Sequence, residues 1–598
     1  MKRGMFDMDE ITGRHLDWSL FRRFMRLIHP YRVSATGAVI LLPLASAARL
    51  IQPFLLKIAI DRHIVLGQLQ GLGNIALLFL AAACAESLIG FWQGYLAQGV
   101  GQKITAELRS RGFRHLLRLP ARFFDRQPSG RLVTRLTSDV ENVGELFASG
   151  VASAFGEVFS LLFVVIAMLW LSPMLTGVCF ALLPLLGVVL LLFRRRMRQA
   201  MRQVRSRLAE LNGYLAERIA GISTVRLFGQ QARTLNEFDH LQEAYRVSNF
   251  GAIRWDVFLF SALEALAALA VAGVLWRGGF SVLQGVASFG TLVAFLEYVQ
   301  RFFAPLRKLS SHYSLLQASN ASLERIFELL DQPSEPGGRQ LSVPGGVGDL
   351  RFDHVSFSYD GQQPVLADLD IRFAAGQMIG IVGDTGSGKT TLGRLLLRFY
   401  EPTAGRILLD GVNLAEMDPA EVRRRIGWVS QEPFLFAGTV RENLDPLGHL
   451  SDGRLQALLE DCGAWKAVSR LGGMQGMLQE RGRNLSAGER QLLCVARTLV
   501  GDPSILLFDE ATSRLDAASE ERVHQVLEKL RSGRTLLVIA HRLRSVQKAD
   551  MIVLLHRGCI RETGTHGQLL AQNGRYARLW SLQHLDLNGA SAPKPSRA

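Results

Sequence analysis

The sequence predicts a two-part, multi-domain fold: an all-α bundle of six membrane-spanning helices, followed by an α/β domain on a largely parallel sheet. Three observations predict it. Apolar stretches of membrane length recur through the first half of the 598 residues. Short β-rich runs alternate with helical segments in the second half. A joint rich in glycine and proline separates the two. Hydrophobic residues reach 48% while charged residues still make up 20%, the mixture of a membrane part fused to a water-soluble one. The length exceeds what one core supports.

A spanning helix needs about 20 mostly apolar residues. Six candidates run from about Ser34 to Ile60, Asn74 to Val100, Leu146 to Leu171, Met174 to Phe193, Val257 to Trp276 and Phe289 to Leu309. Only the Ser172-Pro173 turn joins the third and fourth. Orientation follows from positive charge. The first-to-second connection holds Arg62 and little else basic, the Pro173 turn holds no charge, and the fifth-to-sixth connection holds Arg277. The second-to-third and fourth-to-fifth connections are long and arginine-rich, so they face the cytoplasm, as do both termini. Mixed apolar and charged residues at helical spacing, as in Ile104 to Leu119 and Met201 to Leu227, extend the spanning helices beyond the bilayer.

The net charge of +15 has the same explanation. Arg194 to Arg207 holds seven arginines directly after an apolar run, the pattern of cytoplasmic retention and contact with anionic headgroups. A nucleic-acid partner is not expected on that topology. Residues 1–33 mix acids, bases and aromatics with no apolar core before a small-residue cleavage site, so the first span is expected to be an uncleaved anchor in the cytoplasmic (inner) membrane. The five cysteines form no CxxC pair and read as single buried thiols, with neither a zinc site nor a disulfide framework.

The expected domains are a cytoplasmic segment 1–33, the membrane domain 34–331, a flexible linker 332–349, the α/β domain 350–587 and a disordered tail 588–598. In the α/β domain, strands are expected at Met378 to Val382, Ser504 to Phe508 and Thr535 to Ile539, with a helix from Lys389 to Arg398.

Gly383-Asp384-Thr385-Gly386-Ser387-Gly388-Lys389-Thr390, with Thr391 beside it, follows a strand and opens a helix. That context makes it a phosphate loop. Its glycines let backbone N–H groups converge on phosphate oxygens, and the helix N-terminus adds positive potential. Lys389 would reach the β- and γ-phosphates, and Thr390 would ligate Mg²⁺. Ser504 to Asp509 is an apolar strand ending in an acid, the position where ligands bind in open sheets. Asp509 can hold the Mg²⁺ shell and Glu510 can polarise a water. Alone, that pair would fit a helix N-cap and a solvated acid equally well. Beside a phosphate loop, the nucleotide reading prevails, with ATP and Mg²⁺ as ligands.

These residues, with several others, resemble an ABC transporter cassette over about Leu350 to Leu582. Leu485-Ser486-Ala487-Gly488-Glu489 is similar to the family signature LSGGQ. The resemblance implies that Gln431 is the Q-loop glutamine and a Mg²⁺ contact, His541 the switch histidine, and Ser513-Arg514-Leu515-Asp516 the D-loop. It also implies that Tyr359 stacks on adenine. The membrane half resembles the exporter branch. Phe123-Phe124-Asp125 with Gly130 to Asp139 looks like a first coupling region, and Asn212 to Phe228 like a second. By that resemblance the first touches its own cassette and the second the partner's. Two cassettes sandwich ATP between one phosphate loop and the other chain's Ser486 and Gly488.

Three positions depart from the pattern. Ala487 replaces glycine, Glu489 replaces glutamine and Arg514 replaces alanine, while Lys389, Gln431, Asp509, Glu510 and His541 are intact. Paired exporters often divide labour in this way, which favours a heterodimer of half-transporters over a homodimer. The expected function is ATP-driven export of hydrophobic or amphipathic molecules such as drugs or lipids. The alternatives are export of one metabolite (a thiol, haem-related compound or siderophore) and a non-transporting ATP-switched regulator. A peptide-processing exporter is not expected, because the N-terminal segment is too short for a peptidase domain. Arg49, Glu86, Glu157, Glu264 and Glu297 fall in or near spans. The acids would line a cavity for cationic amphiphiles, pair with Arg49, or sit at wetter helix ends.

Overall fold

A computed structural model describes residues 18–338, 346–509, 517–531, 533–540 and 542–589. They form two compact units. One comprises the residues up to Leu117 and Pro128–Gln332, the other Arg118–Gln127 and the residues from Pro333 onward.

Long helices build the first unit. Arg32–Ala59 continues through one π-turn at Ile60–Ile64. Leu72–Leu116 has 45 residues, Leu183–Ala220 has 38, Gln231–Leu283 has 53 and Phe289–Leu330 has 42. At 1.5 Å per residue the 45-residue helix is about 67 Å long. That is twice the thickness of the hydrocarbon core, as the charged, periodic extensions require. Among the described residues, five helices are long and apolar enough to cross a membrane: Arg22–Ile64, Leu72–Leu116, Ser129–Leu171, Pro173–Ala220 and Gln231–Leu283. The sixth expected span lies on Phe289–Leu330, which is as long but less apolar, because Glu297 and Arg301 interrupt it. The Ser172-Pro173 turn is a helix start: Ser172 Oγ accepts from Leu175 N–H (3.3 Å) and Pro173 takes the first helical position, where it needs no donor.

Polar side chains join the helices. Arg49 Nε and Gln52 Nε2 donate to the two oxygens of Glu86, each at 2.8 Å. Arg301 donates to the Arg49 carbonyl (2.6 Å) and to Gln52 Oε1 (3.0 Å). Of the intramembrane acids, Glu86 is therefore a paired structural group. Asp139, buried in a π-turn at Arg135–Asp139, accepts from Ser322 (3.0 Å) and from Arg325 (2.9 and 2.5 Å). The helices also approach closely at two glycines. A Cβ on Gly101 would lie 2.7 Å from the Gly144 carbonyl oxygen, and one on Gly144 would overlap Thr105 Oγ1. The cysteines divide. Cys179, Cys462 and Cys494 are buried thiols, but Cys84 is exposed and Cys559 intermediate. Cys84 lies on a helix stretch with little packed against it in this chain, so burial does not follow from its residue type.

Among the described residues the second unit carries twelve strands: β1 Leu350–Phe357, β2 Leu366–Phe373, β3 Met378–Gly383, β4 Ala404–Leu409, β5 Val412–Asn413, β6 Ile426–Val429, β7 Gly438–Thr439, β8 Met477–Leu478, β9 Ile505–Asp509, β10 Thr535–Ile539, β11 Met551–His556 and β12 Cys559–Gly564. An antiparallel sheet has the order β2-β1-β4-β5, and β7 pairs with β8. The main sheet has the order β12-β11-β3-β10-β9-β6. Its five strands from β11 to β6 run parallel, and β12 is antiparallel at one edge. β3, β9 and β10 are almost wholly buried, which is why they read as unbroken apolar runs. The helix after β3 ends at Leu396, earlier than expected, because Arg398 takes a left-handed φ of 52°. The last helix runs to Gly589, two residues into the segment expected to lack structure.

Gly144→Ala should destabilise the membrane unit by about 1–3 kcal/mol, because the added methyl has no room. Thermal unfolding of the detergent-solubilised protein measures this. An unchanged midpoint would refute the close crossing.

Candidate functional site

A parallel sheet delivers the carboxyl ends of its strands to one edge. Along β3, β10, β9 and β6 that edge carries the phosphate loop after Gly383, residue 540 after β10, Asp509 at the end of β9 and Gln431 just beyond β6. β9 reaches Asp509, which pairs in register with Ile539 of β10 and is buried. Gln431 is exposed in a bend. Glu510, His541 and the D-loop residues through Asp516 lie outside the described residues.

The loop from Gly383 to Gly388 has the shape that phosphate binding requires. Gly388 adopts φ 101°, and a Cβ there would lie 2.5 Å from Leu366 Cδ2. Gly386 adopts φ 79°, with nothing within 4 Å of where a side chain would point, so this side of the loop is open. Lys389 is buried, and its Nζ donates to the carbonyls of Gly383 (2.9 Å) and Asp384 (3.0 Å). Ser387 is buried, and its Oγ has no hydrogen-bond partner among the described residues. A buried orphan hydroxyl is costly, and a phosphate oxygen would satisfy it. Thr385 and Thr390 are exposed, the latter in the first turn of helix Lys389–Leu396. The residues present thus fit a nucleotide phosphate chain with a divalent cation.

Asp384, expected at the nucleotide, has its carboxylate engaged outside the loop, while its main-chain carbonyl accepts from Lys389. Its carboxylate accepts from Arg575 (2.7 Å) and His556 (3.1 Å). The Arg575 guanidinium holds the Asp384 carboxyl below the usual range, against the raising effect of burial and with help from His556. Neither partner was identified from the sequence. The signal was present: an acid inside a loop that binds anions needs a cation nearby.

Tyr359 sits edge-on to Phe357 (4.8 Å between ring centres) and Tyr400 (5.0 Å). Its hydroxyl is 3.1 Å from Thr391 Oγ1. The buried Thr391 thereby tethers the aromatic to the helix that starts at Lys389. Arg126 Nη2 donates to the Tyr359 carbonyl (3.1 Å). On the same short helix, Ala121–Arg126, Asp125 accepts from Arg394 (3.2 Å) and from the Tyr400 hydroxyl (2.7 Å). Burial and the Asp125 carboxylate push the Tyr400 phenol up to about 12, so it remains a donor. The helix Ala121–Arg126 is thus bonded to the helix that starts at Lys389.

Ser486 caps helix Ala487–Leu499. Its Oγ accepts from Glu489 N–H (3.2 Å), and Glu489 Oε2 accepts from Ser486 N–H (2.8 Å). Glu489 also bridges to Arg470 (3.1 Å). Burial raises the Glu489 carboxyl, but the Ser486 and Arg470 bonds outweigh it and hold the group below its ordinary value. The charge that replaces glutamine is therefore neutralised and closes a capping box. Ser486 keeps its hydroxyl hydrogen for an incoming oxygen. Gly488 is buried, and Ala487 half-buried at the first helical position.

A helical membrane domain joined to a phosphate-loop cassette defines an ATP-hydrolysing membrane transporter. The chain belongs to the ABC transporter family: residues 36–306 match the ABC transporter transmembrane region and 366–513 the ABC transporter domain. It is 34% identical to the uncharacterized ABC transporter ATP-binding protein YfiC of Bacillus subtilis, covering 94% of each chain. It is also 34% identical to an ATP-dependent lipid A-core flippase of Chromobacterium violaceum, covering 95% of this chain and 97% of the relative. Identity to the putative multidrug export ATP-binding/permease protein YgaD of Bacillus subtilis is 31%, over 95% of this chain and 100% of the relative.

Glu489→Ala should cost the cassette about 1 kcal/mol of stability by opening the capping box, while Glu489→Gln should retain most of it. Urea unfolding of the two variants compares them. Equal losses would show that the charge on Glu489, and not its cap, stabilises the helix.

Proposed function

We propose that the chain is one half of a heterodimeric exporter in the cytoplasmic membrane, with both termini in the cytoplasm, moving amphipathic molecules at the expense of ATP. The observation that carries this reading is the shared sheet edge, where Lys389, Asp509 and Gln431 stand at or beyond the carboxyl ends of β3, β9 and β6 of one parallel sheet.

In this reading Tyr359 stacks on adenine, and the loop Gly383 to Thr390 cradles the phosphates. The Lys389 ammonium exchanges carbonyl partners for β- and γ-oxygens. Thr390, Asp509 and Gln431 hold Mg²⁺, which when bound offsets charge on the phosphates. Glu510 orients a water for in-line attack on the γ-phosphorus and takes its proton as the β–γ bridging bond breaks, and ADP leaves with that oxygen. His541 is assigned to the γ-phosphate. Ser486 and Gly488 serve the partner's nucleotide, and Asp516 is assigned to nucleotide binding with them. ATP clamped between two cassettes favours their closure, and hydrolysis reverses it. Ala487 supports the heterodimer, because a methyl group stands where a bare backbone would meet phosphate. Glu489 supports it less, since Arg470 neutralises it.

The membrane unit suggests the substrate class. A cavity of 370 Å³ is lined by Glu264, Ala267, Val271, Gln300 and Phe303, among others. Small and apolar walls with one carboxylate suit an amphipathic cation, and the volume is in the range of drug-sized sites. The names of the relatives, a lipid flippase and a multidrug permease, agree with an amphipathic cargo.

Glu510→Gln should bind ATP and cut its hydrolysis at least about a hundredfold. Phosphate release measured on the purified complex tests this, and unchanged turnover would remove Glu510 from the base role. Glu264→Gln should raise about fivefold the concentration of a cationic amphiphile that half-stimulates ATPase, and leave the value for an uncharged one nearly fixed. Equal shifts for both would exclude charge recognition at this cavity.

A further inference from the structure

Asp384 is an acid in the one loop of the cassette that must accept a triphosphate. A carboxylate within a few ångströms of phosphate oxygens opposes their binding. The loop tolerates it because the charge is held elsewhere. We propose that Arg575, the first residue of the C-terminal helix Arg575–Gly589, is a positioning residue for the phosphate loop. It cancels the charge of Asp384 and fixes the loop in its phosphate-accepting shape. This inference rests on the nucleotide reading of that loop.

Six hydrogen bonds and one strand pairing define the device. Arg575 Nη2 (2.7 Å) and His556 Nδ1 (3.1 Å) meet the same Asp384 oxygen. The main-chain carbonyl of Asp384 accepts from Lys389 Nζ (3.0 Å), so one residue links the C-terminal helix to the phosphate-binding lysine. Arg575 is held in turn from below. Glu562 of β12 accepts from the backbone N–H of Arg575 (2.6 Å) and of Tyr576 (3.0 Å). Tyr576 is fully buried, and its hydroxyl is 2.8 Å from His566 Nδ1. Finally, β11 pairs with β3 so that Leu555 lies opposite Gly383, which sets His556 beside Asp384.

A guanidinium placed this way does two things. It keeps the carboxylate engaged with the C-terminal helix, and it steadies the Asp384 peptide, whose carbonyl accepts from Lys389. Without it, Asp384 would keep only the His556 contact, leaving most of its charge at the loop, and the peptide that offers Lys389 one of its two acceptors would be less firmly held. The cost falls on nucleotide capture. Arg575 touches no reacting atom, so turnover at saturating ATP should be spared.

The test uses the full-length chain purified in its transporter complex, with ATPase measured over a range of ATP and binding followed with a fluorescent ATP analogue. Arg575→Gln should raise KM and analogue Kd about tenfold and change kcat less than about twofold. Arg575→Lys should recover most of the affinity. In an Asp384→Asn background, Arg575→Gln should change KM less than about twofold, because no carboxylate remains to be neutralised. The proposal is overturned if Arg575→Gln keeps the wild-type KM, if kcat falls while KM holds, or if the loss is as large with Asp384→Asn as without it. Should Arg575→Gln alone not fold, Arg575→Lys and the double variant, which retain or remove both charges, carry the same comparison. Lys389→Ala separates the two levels: analogue binding that survives this change refutes the nucleotide reading itself, whatever Arg575 does.

Discussion

Five neighbouring strands running in one direction create the constraint on which this cassette depends. Parallel pairing in register forces their carboxyl ends to a common edge, and residues far apart in the chain meet there. Gly383 and Asp509 come from strands separated by more than a hundred residues, yet only β10 lies between them. Burial on both faces fixes the register, because each side chain that slipped by one position would exchange core for core of another shape. The loops at that edge are free to be polar because the strands beneath them are not.

Against that rigid base the phosphate loop is under internal tension of charge. It gathers a lysine, a buried hydroxyl and an acid in one short turn, and each is satisfied differently. Lys389 takes carbonyls, Asp384 takes a distant arginine and histidine, and Ser387 Oγ stands without a partner among the described residues. The helix after the loop is in turn tied through Arg394 to Asp125 and through Thr391 to Tyr359. The loop Gly383 to Gly388, the ring of Tyr359 and the segment Ala121–Arg126 are therefore all tied to one eight-residue helix.

What was legible in the sequence was local. The Ser172-Pro173 turn, the strand at Thr535 to Ile539 and the phosphate loop each announce themselves through a few adjacent residues. The sixth long helix was legible from length but is less apolar than the others, because Glu297 and Arg301 meet structural needs that hydropathy does not register. The C-terminal partners of Asp384 were not legible, since nothing near position 384 specifies which of many arginines will reach it across 191 residues. The end of the helix at Leu396 was missed because a left-handed arginine leaves no compositional mark. The capping box is legible in the spacing, a serine cap with a carboxylate three residues on, whereas the Arg470 partner of Glu489 is not, because it comes from a separate helix.

Residues Arg118 to Gln127 fold with the cassette although membrane helices flank them in the chain. The polypeptide therefore passes between the two units at three places instead of one. A body on a single leash can spin without pulling on its anchor. With Asp125 gripped by Arg394 and Tyr400, any twist of the cassette must wind up the strands of chain on either side of that grip, so torque as well as tension reaches the lipid-embedded part.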